Sequence, residues 1–300
     1  MKDCVGAAPG FLASLAEQTR APDEVVIVDG GSNDGTADAF GASGAATVLS
    51  EPGANISRGR NVALAAATHD VIAVTDADCE LDPRWLEAIV APIEAGAQVS
   101  MGVTEPVVET TWDRCMAAVN LPLDASSVDV ARFNPSHRSV AFRREAIDAV
   151  GGYPEWLPIG EDMWVDRRWR ELGMDMRLAP DAAVRWRLRR GLAATWRQYF
   201  AYARGDAQAG MHPDRHAVRL AVYAGLVAAF ASGRTGPRLL AAAGAVAYAR
   251  TPVARGWARS RGPRDRAVAT AAVPALLGFL DAAKIAGYAA GLADRVRRPR

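Results

Sequence analysis

The chain has 300 residues, half of them hydrophobic, and a formal net charge of +1. This composition is typical of a globular protein with one large or two smaller domains, and it argues against disorder and against a nucleic-acid binder. The charge is unevenly distributed. Residues 1–184 hold 14 Lys and Arg against 29 Asp and Glu, whereas residues 185–300 hold 21 against 5. The asymmetry predicts two functional regions, the second of which favours an anionic surface.

The cysteines favour a reducing compartment. Cys4, Cys79 and Cys115 are odd in number and lack the spacing of a metal site. No basic-then-apolar signal peptide stands at the N-terminus. We therefore expect a cytoplasmic protein without a disulfide framework.

The first elements predict an α/β fold. Apolar residues at helical spacing indicate a helix at residues 11–18, and residues 24–29 read as a strand that ends in Asp29. The turn Gly30-Gly-Ser-Asn-Asp-Gly-Thr36 follows, and strand, glycine-rich turn and helix form the unit of a parallel sheet. Backbone amides in such a turn favour a polar or anionic ligand, although an ordinary turn has the same composition.

A helix predicted at residues 58–67 carries Arg60 and Asn61 in its first turn. A cation at that end opposes the helix dipole. Either a local anionic partner or a solvated helix face explains it.

The most informative stretch is Val71-Ile-Ala-Val-Thr-Asp-Ala-Asp-Cys79. Its apolar half reads as a strand buried on both faces. Asp76 and Asp78 follow at alternate positions, which share one side of an extended chain. Two such carboxylates about 4 Å apart repel by roughly 4 kcal/mol at an effective dielectric of about 20. Mg²⁺ or Mn²⁺ would relieve the repulsion and could hold a diphosphate, whereas a solvated acidic loop is the alternative.

Residues 160–173 predict a helix with Glu161 and Asp162 in its first turn. These acids either compensate the helix dipole or supply a general base. The dipole is expected to lower their pKa, which weakens a base. Earlier in the chain, the polar cluster that contains Ser136, Arg138 and Ser139 runs into a predicted strand.

These motifs, in this order, resemble family 2 glycosyltransferases of the GT-A fold, over roughly residues 11–190. The resemblance implies a Rossmann-like α/β fold with a mostly parallel central sheet flanked by helices. It implies that Asp29, Arg60, Asp76 and Arg138 bind the nucleotide sugar, that Asp78 binds the metal, and that Asp162 is the base that deprotonates the acceptor hydroxyl. By the same resemblance, Ser136 and Ser139 line the cleft.

The chain departs from the family pattern at three places. The usual first strand is replaced by residues 1–9, which do not read as that strand. Either the start site is placed too late, or the chain lacks the first central strand of the sheet. Gly30 stands where many members have a second Asp. The Gln-x-x-Arg-Trp motif of processive members is absent, so addition of a single sugar is expected.

Residues 191–300 are rich in Ala and Arg. Residues 220–232 and 239–249 are apolar but short for a membrane-spanning helix, which needs roughly 20 residues. Residues 267–293 are long enough but are interrupted by Pro274, Asp281 and Lys284. We predict association with an anionic membrane through interfacial helices or a shallow hairpin. Helices packed on the catalytic domain are the alternative.

Together these features predict a catalytic domain at residues 1–190 and a basic helical region at residues 191–300. The predicted activity is an inverting, metal-dependent transfer of one sugar from a nucleotide-diphospho-sugar donor to an unknown acceptor at the inner face of the cell membrane. A non-catalytic scaffold of the same fold is the main alternative, and a nucleotidyltransferase ranks last.

Overall fold

The computed structural model describes residues 1–123, 129–130 and 133–297. They form two compact units. The first comprises Met1–Val107 with Asp124–Arg187, and the second comprises Val108–Leu123 with Leu188–Arg300. The functional division at residue 190 stays a prediction. The compact units differ from it mainly because Val108–Leu123 belongs to the second unit.

Strands and helices alternate along the first unit, as the sequence predicts. The strands are β1 (Val26–Asp29), β2 (Thr47–Ser50), β3 (Val71–Val74), β4 (Cys79–Leu81), β5 (Val99–Pro106), β6 (Val140–Arg143) and β7 (Met176–Trp186). The helices of the described residues, in both units, are α1 (Ala8–Ala16), α2 (Thr36–Gly41), α3 (Ile56–Ala66), α4 (Trp85–Glu94), α5 (Thr111–Asn120), α6 (Arg144–Asp148), α7 (Glu161–Glu171), α8 (Leu192–Ala209), α9 (Pro213–Ala231), α10 (Thr235–Ala258) and α11 (Pro263–Arg297).

The strands form two sheets. β1 and β2 are a parallel pair, and the larger sheet has the order β3-β6-β5-β7-β4. The α/β class is confirmed, but the prediction of a mostly parallel sheet is wrong for the larger one. There β5 and β7 are parallel, whereas the other three pairings are antiparallel. An apolar run such as β3 does not indicate the direction of the neighbouring strand. The expectation that this strand is buried on both faces is also wrong, because β3 is an edge strand and its residues are half-buried.

Helices cover both faces of the larger sheet. Ala141 packs in the cluster that contains Trp85 and Ile89 of α4. Its neighbours Val140 and Phe142 pack in the cluster that contains Trp169 of α7. Because successive strand residues point to opposite faces, α4 and α7 lie on opposite sides of the sheet. The acidic residues after β3 follow the edge strand of this sheet, whose four residues are half-buried.

Residues 1–25 contain α1 and a short 3₁₀ turn but no strand. Met1 nevertheless lies beside β1. Its ammonium group donates to the Val28 carbonyl oxygen at 2.6 Å, and its own carbonyl oxygen accepts from the Gly30 amide at 2.8 Å. Contacts to residues 28 and 30 on one strand are those of a parallel neighbour.

The second unit consists of α5 and α8–α11 in the described residues. Its central element is α11, which lies so close to α8 that a Cβ atom at Gly287 or Gly291 would collide with the carbonyl of Phe200 or Arg204. Among the described helices, α11 is also the one that is long and apolar enough to cross a membrane by length and composition. Its buried face makes it equally suitable as the core helix of this unit.

Candidate active site

Asp76 and Asp78 lie in the loop between β3 and β4, and their carboxylates have different surroundings. Asp76 forms ion pairs with Arg60 at 3.0 Å and with Arg138 at 3.3 Å. Asp78 accepts a hydrogen bond from the Trp186 indole at 3.3 Å. Burial, together with the negative charge of Asp76, raises the pKa of Asp78. Of the two acids in this loop, Asp78 is therefore the one that has no ion pair with an arginine among the described residues and whose ionised form a nearby cation would favour.

Arg60 joins this loop to the start of α7. One guanidinium nitrogen lies 3.0 Å from Asp76, and another lies 2.8 Å from Glu161. The side chain of Glu161 is buried, and that of Arg60 is 12% exposed. Arg60 lies on α3. The Asn55 side chain caps the first turn of this helix by accepting from the Arg58 amide, which stabilises the helix end that carries Arg60. The cation that opposes the α3 dipole thus has two anionic partners, as one of the two sequence interpretations proposed.

The first turn of α7 holds two acids in unlike states. Gly160 precedes them in a left-handed conformation with φ of 87°. Burial and the charge of Asp162 raise the pKa of Glu161 to about 7, against the opposing effect of Arg60. For Glu161 the expectation of a pKa lowered by the helix dipole is therefore wrong, because desolvation outweighs the dipole. Asp162 accepts from the Met163 amide at 2.8 Å.

Three buried side chains, His137, Tyr153 and Asp166, contact one another next to this network. His137 contacts the Tyr153 hydroxyl at 2.6 Å and the Asp166 carboxylate at 3.0 Å, and its ring stacks on Trp169. Burial lowers the pKa of His137 and raises the pKa of Asp166 well above its ordinary value. Both shifts favour uncharged forms, so the trio is a neutral support for the loop that carries Arg138.

Arg138 lies over the Trp186 ring at 4.2 Å and donates to the Ser136 hydroxyl at 2.6 Å. Ser139, by contrast, does not line a cleft. It is fully buried, donates to the Ala182 carbonyl oxygen and accepts from the Trp85 indole, both at 2.9 Å. The expectation for Ser139 is wrong because this residue, which immediately precedes β6, is buried in the core although its neighbour Arg138 is not.

Asp29 stabilises the turn that directly follows it. Its carboxylate accepts from the Gly31 and Ser32 amides and from the Ser32 hydroxyl. Burial opposes ionisation, but these hydrogen bonds outweigh it, so the pKa of Asp29 lies below its ordinary value. The network therefore brings together Arg60, Asp76, Arg138 and Glu161, whereas the hydrogen bonds of Asp29 do not join it.

Asn61 is a residue whose role sequence reasoning missed. Its amide oxygen accepts from the Tyr153 backbone amide, and its amide nitrogen donates to the Tyr153 carbonyl oxygen, both at 2.9 Å. The same nitrogen also donates to Glu155 at 2.9 Å. Asn61 thus fastens the segment that leads to α7 onto α3. The available signal was that Asn61 stands next to Arg60 in one sequence motif. In the structure both side chains contact residues 153–161, Arg60 through Glu161 and Asn61 through Tyr153.

Asp78 can hold a divalent cation only together with ligands from outside this set of side chains. Within the described residues, no three His, Cys, Asp or Glu side chains form a metal-binding cluster. Mg²⁺ commonly takes one or two carboxylates and completes its shell with water and substrate phosphates. An accessible carboxylate of raised pKa beside a second acid fits that use.

Known proteins were compared with the chain in sequence and in fold. An uncharacterized glycosyltransferase of Mycobacterium tuberculosis and one of Mycobacterium bovis are each 27% identical over 184 residues, which is 57% of this chain and 79% of theirs. The mannosyltransferase PcManGT from Pyrobaculum calidifontis, solved with GDP-Man and Mn²⁺, has a TM-score of 0.56 at 20% identity and covers 98% of this chain and 84% of its own. S. aureus TarS 1-349, solved with UDP, has a TM-score of 0.50 at 16% identity and covers 100% of this chain and 90% of its own.

The structural likenesses concern the fold, and the sequence match concerns the family. Residues 7–151, which contain α3, the acids after β3 and the start of β6, match the model of glycosyl transferase family 2. Over these residues the chain is similar to glycosyl transferase family 2, and it has the GT-A fold.

Proposed function

We propose that the chain transfers one sugar, with inversion, from a nucleoside-diphospho-sugar to an acceptor hydroxyl. The observation that carries the proposal is the double ion pair of Arg60. It joins Asp76, in the predicted donor and metal loop, to Glu161, which adjoins the predicted base. Two segments 85 residues apart in sequence are thereby held at one place.

On the donor side, Asp29 and Asp76 are proposed to contact the nucleoside, and Arg60 and Arg138 to face the diphosphate. Ion pairs with both arginines orient the Asp76 carboxylate. Arg138 is further restrained by its stacking on Trp186. Guanidinium groups of limited freedom suit phosphate recognition, because their planar donors match two oxygens at once.

On the acceptor side, Asp162 is proposed to take the proton of the attacking hydroxyl. The acceptor oxygen forms a bond to the anomeric carbon while the bond from that carbon to the diphosphate oxygen breaks. The proton remains on Asp162, and the nucleoside diphosphate leaves with the electron pair. Glu161 is anchored to Arg60 at the head of α7, so it holds Asp162 in place without sharing this step.

A divalent cation is the proposed cofactor, with Asp78 as its protein ligand. When bound, Mg²⁺ or Mn²⁺ would neutralise charge on the diphosphate. Asp78 is the reasonable ligand because its neighbour Asp76 is already paired with two arginines.

We also propose that the acceptor is presented at the cytoplasmic face of an anionic membrane, as a lipid-linked or cell-envelope molecule. The support is the excess of Arg in residues 185–300 and the uncharged apolar stretches at residues 220–232 and 239–249. Basic segments beside apolar helices are attracted to anionic headgroups.

The first test is calorimetry of UDP, GDP and dTDP with the chain, with and without Mn²⁺. We expect one nucleotide to bind, to depend on Mn²⁺, and to lose that dependence in Asp78→Asn. Asp148→Asn is the matched control, because Asp148 is an exposed acid at the end of α6. The nucleotide that binds would identify the donor class.

Three results would contradict the proposal. A folded chain that binds none of the nucleotides would support the non-catalytic scaffold. An Asp78→Asn variant with unchanged Mn²⁺ dependence would remove Asp78 as the ligand. Release of pyrophosphate from a nucleoside triphosphate would instead indicate a nucleotidyltransferase.

A further inference from the structure

The helical hairpin formed by α9 and α10 exposes large apolar side chains along its length. Seven of them are between 55% and 77% exposed: Val218, Leu220, Val227, Phe230, Leu239, Leu240 and Val246. No residue from 217 to 255 is buried. An exposed apolar surface of this extent marks an interaction site in a soluble protein.

The apolar character is not confined to one stripe. Residues 220–233 and 239–249 contain no charged side chain. A helix that is apolar all round normally lies within a protein core or in lipid. The outer part of this hairpin has no such cover among the described residues, in contrast to α11, which buries Leu276, Leu280 and Asp281.

The base of the hairpin is fastened by polar contacts. Asp281 of α11 accepts from Arg219 at 2.8 Å, from Tyr223 at 3.0 Å and from Tyr248 at 2.8 Å. These donors come from both helices of the hairpin. The hairpin is therefore held at one end, and the end that contains Phe230, Leu239 and Leu240 is left exposed.

The charge of the hairpin selects the partner. Residues 213–261 contain eight Arg and one Asp. Arg234 and Arg238 flank the connecting turn, where Arg238 also donates to the Phe230 carbonyl oxygen at 2.8 Å. A second copy of the chain would bring these positive charges against each other, whereas anionic lipid headgroups would neutralise them.

We propose that the α9–α10 hairpin lies in the headgroup and upper acyl region of an anionic bilayer. Its uncharged stretches of 14 and 11 residues are shorter than the roughly 20 needed to span. The arginines at its turn and base suit an interfacial position. Helix α11, the candidate by length, remains in the protein as the support. The inference rests on the membrane side of the proposed function and not on the transfer reaction.

The test is co-sedimentation of the whole chain with vesicles of phosphatidylcholine alone or with about one third phosphatidylglycerol. Binding to the anionic vesicles is expected without nucleotide or metal. The double variant Leu239→Ser, Leu240→Ser should weaken it by about tenfold or more, because two exposed apolar anchors are lost. Val227→Ser with Phe230→Ser should act alike and serves as a second variant if the first misfolds.

The matched control is Leu172→Ser with Val296→Ser, which removes two large exposed side chains outside the hairpin. It should leave binding unchanged. Arg234→Gln should weaken binding to the anionic vesicles by about fivefold and leave neutral vesicles unaffected. Sedimentation velocity without lipid should show a monomer.

Absence of vesicle binding by the parent chain would overturn the inference. So would serine variants that bind as tightly as the parent, or a dimer that the serine variants dissociate. None of these readouts needs a sugar donor, so loss of transfer with intact vesicle binding would count against the proposed function alone.

Discussion

The ionic network around Arg60 in the first unit and the network around Asp281 in the second are balanced in opposite ways. In the first unit, Arg60 meets Asp76 and Glu161, while Asp162 and Asp78 add further acidic groups nearby. In the second, Asp281 receives a guanidinium and two hydroxyl groups, and the same guanidinium contacts His216, which pairs with Asp206. The first network has more acidic than basic groups. In the second, the carboxylate of Asp281 is fully hydrogen-bonded by residues of the same unit.

The pKa shifts show what this difference does. Burial and neighbouring acids raise the pKa of Asp78 and of Glu161. In the second unit, burial and the charge of Asp281 raise the pKa of Tyr248 to about 12, so this tyrosine keeps the proton that it donates. A network with unrelieved repulsion is suited to a ligand, because a cation or a proton relieves it. A balanced network holds helices together.

The largest effect is expected for Asp162→Asn, which removes the proposed base from the network with surplus charge. The rate of sugar transfer should fall by about 10²- to 10⁴-fold, because the side-chain amide of asparagine cannot take the proton of the attacking hydroxyl. Nucleotide binding should be retained. The measurement is the turnover of donor and acceptor alongside calorimetry with the nucleotide that binds.

Asp148→Asn controls for the loss of an acidic charge in the same unit and should keep full activity. If Asp162→Asn turns over as fast as the parent, Asp162 is not the base, and Glu161 becomes the candidate.

In the balanced network, Asp281→Asn should lower the free energy of unfolding by about 3–5 kcal/mol. The cost arises because Arg219, only 12% exposed, is left without its anionic partner. Urea titration followed by circular dichroism measures it.

Asp294→Asn is the matched control in the same helix. Its ion pair with Arg204 lies at the surface, so a loss of at most about 1 kcal/mol is expected. Equal losses in the two variants would show that the buried network is not what fastens the hairpin.

Sequence reasoning located these networks in part. The apolar run of β3 followed by two acids, and the helix with glycine at each end that became α7, were predictable because strand formation and helix termini depend on neighbouring residues. The partners of Arg60 and Asn61 were not predictable. Glu161 and Tyr153 lie 101 and 92 residues further along the chain, and tertiary packing alone brings them there.

The helical region shows the same limit. Length and apolar content single out α11, and the structure instead exposes α9 and α10. The three helices are alike in alanine content, so their composition does not indicate which one is covered. That outcome depends on close approaches such as Gly287 against Phe200, which no periodicity encodes.

Asn61→Ala sharpens the comparison by loosening the first network without changing its charge. The Tyr153 backbone would lose both hydrogen bonds to the side chain, which should lower the free energy of unfolding by about 1–3 kcal/mol. Transfer should fall through kcat more than through the KM of the donor, because the segment that leads to Asp162 is displaced.

Asn61→Asp is the informative companion variant. Its carboxylate can still accept from the Tyr153 amide but cannot donate to the carbonyl oxygen. An intermediate loss is expected, and no loss in either variant would exclude the fastening role.

The smallest effect is a pH dependence that the raised pKa of Glu161 produces. The folded-state pKa is about 7, and the ordinary value is 4.5. Folding therefore favours the protonated carboxyl. The resulting stability is fully present below pH 4.5, declines as the pH rises through about 7, and is absent above it. Relative to Glu161→Gln, which cannot ionise, the parent should lose about 1–3 kcal/mol of unfolding free energy between pH 5 and pH 8. Urea titrations of both proteins at each pH measure the difference. A constant difference would mean that the ion pair with Arg60 keeps Glu161 ionised throughout, and the first network would then be as balanced as the second.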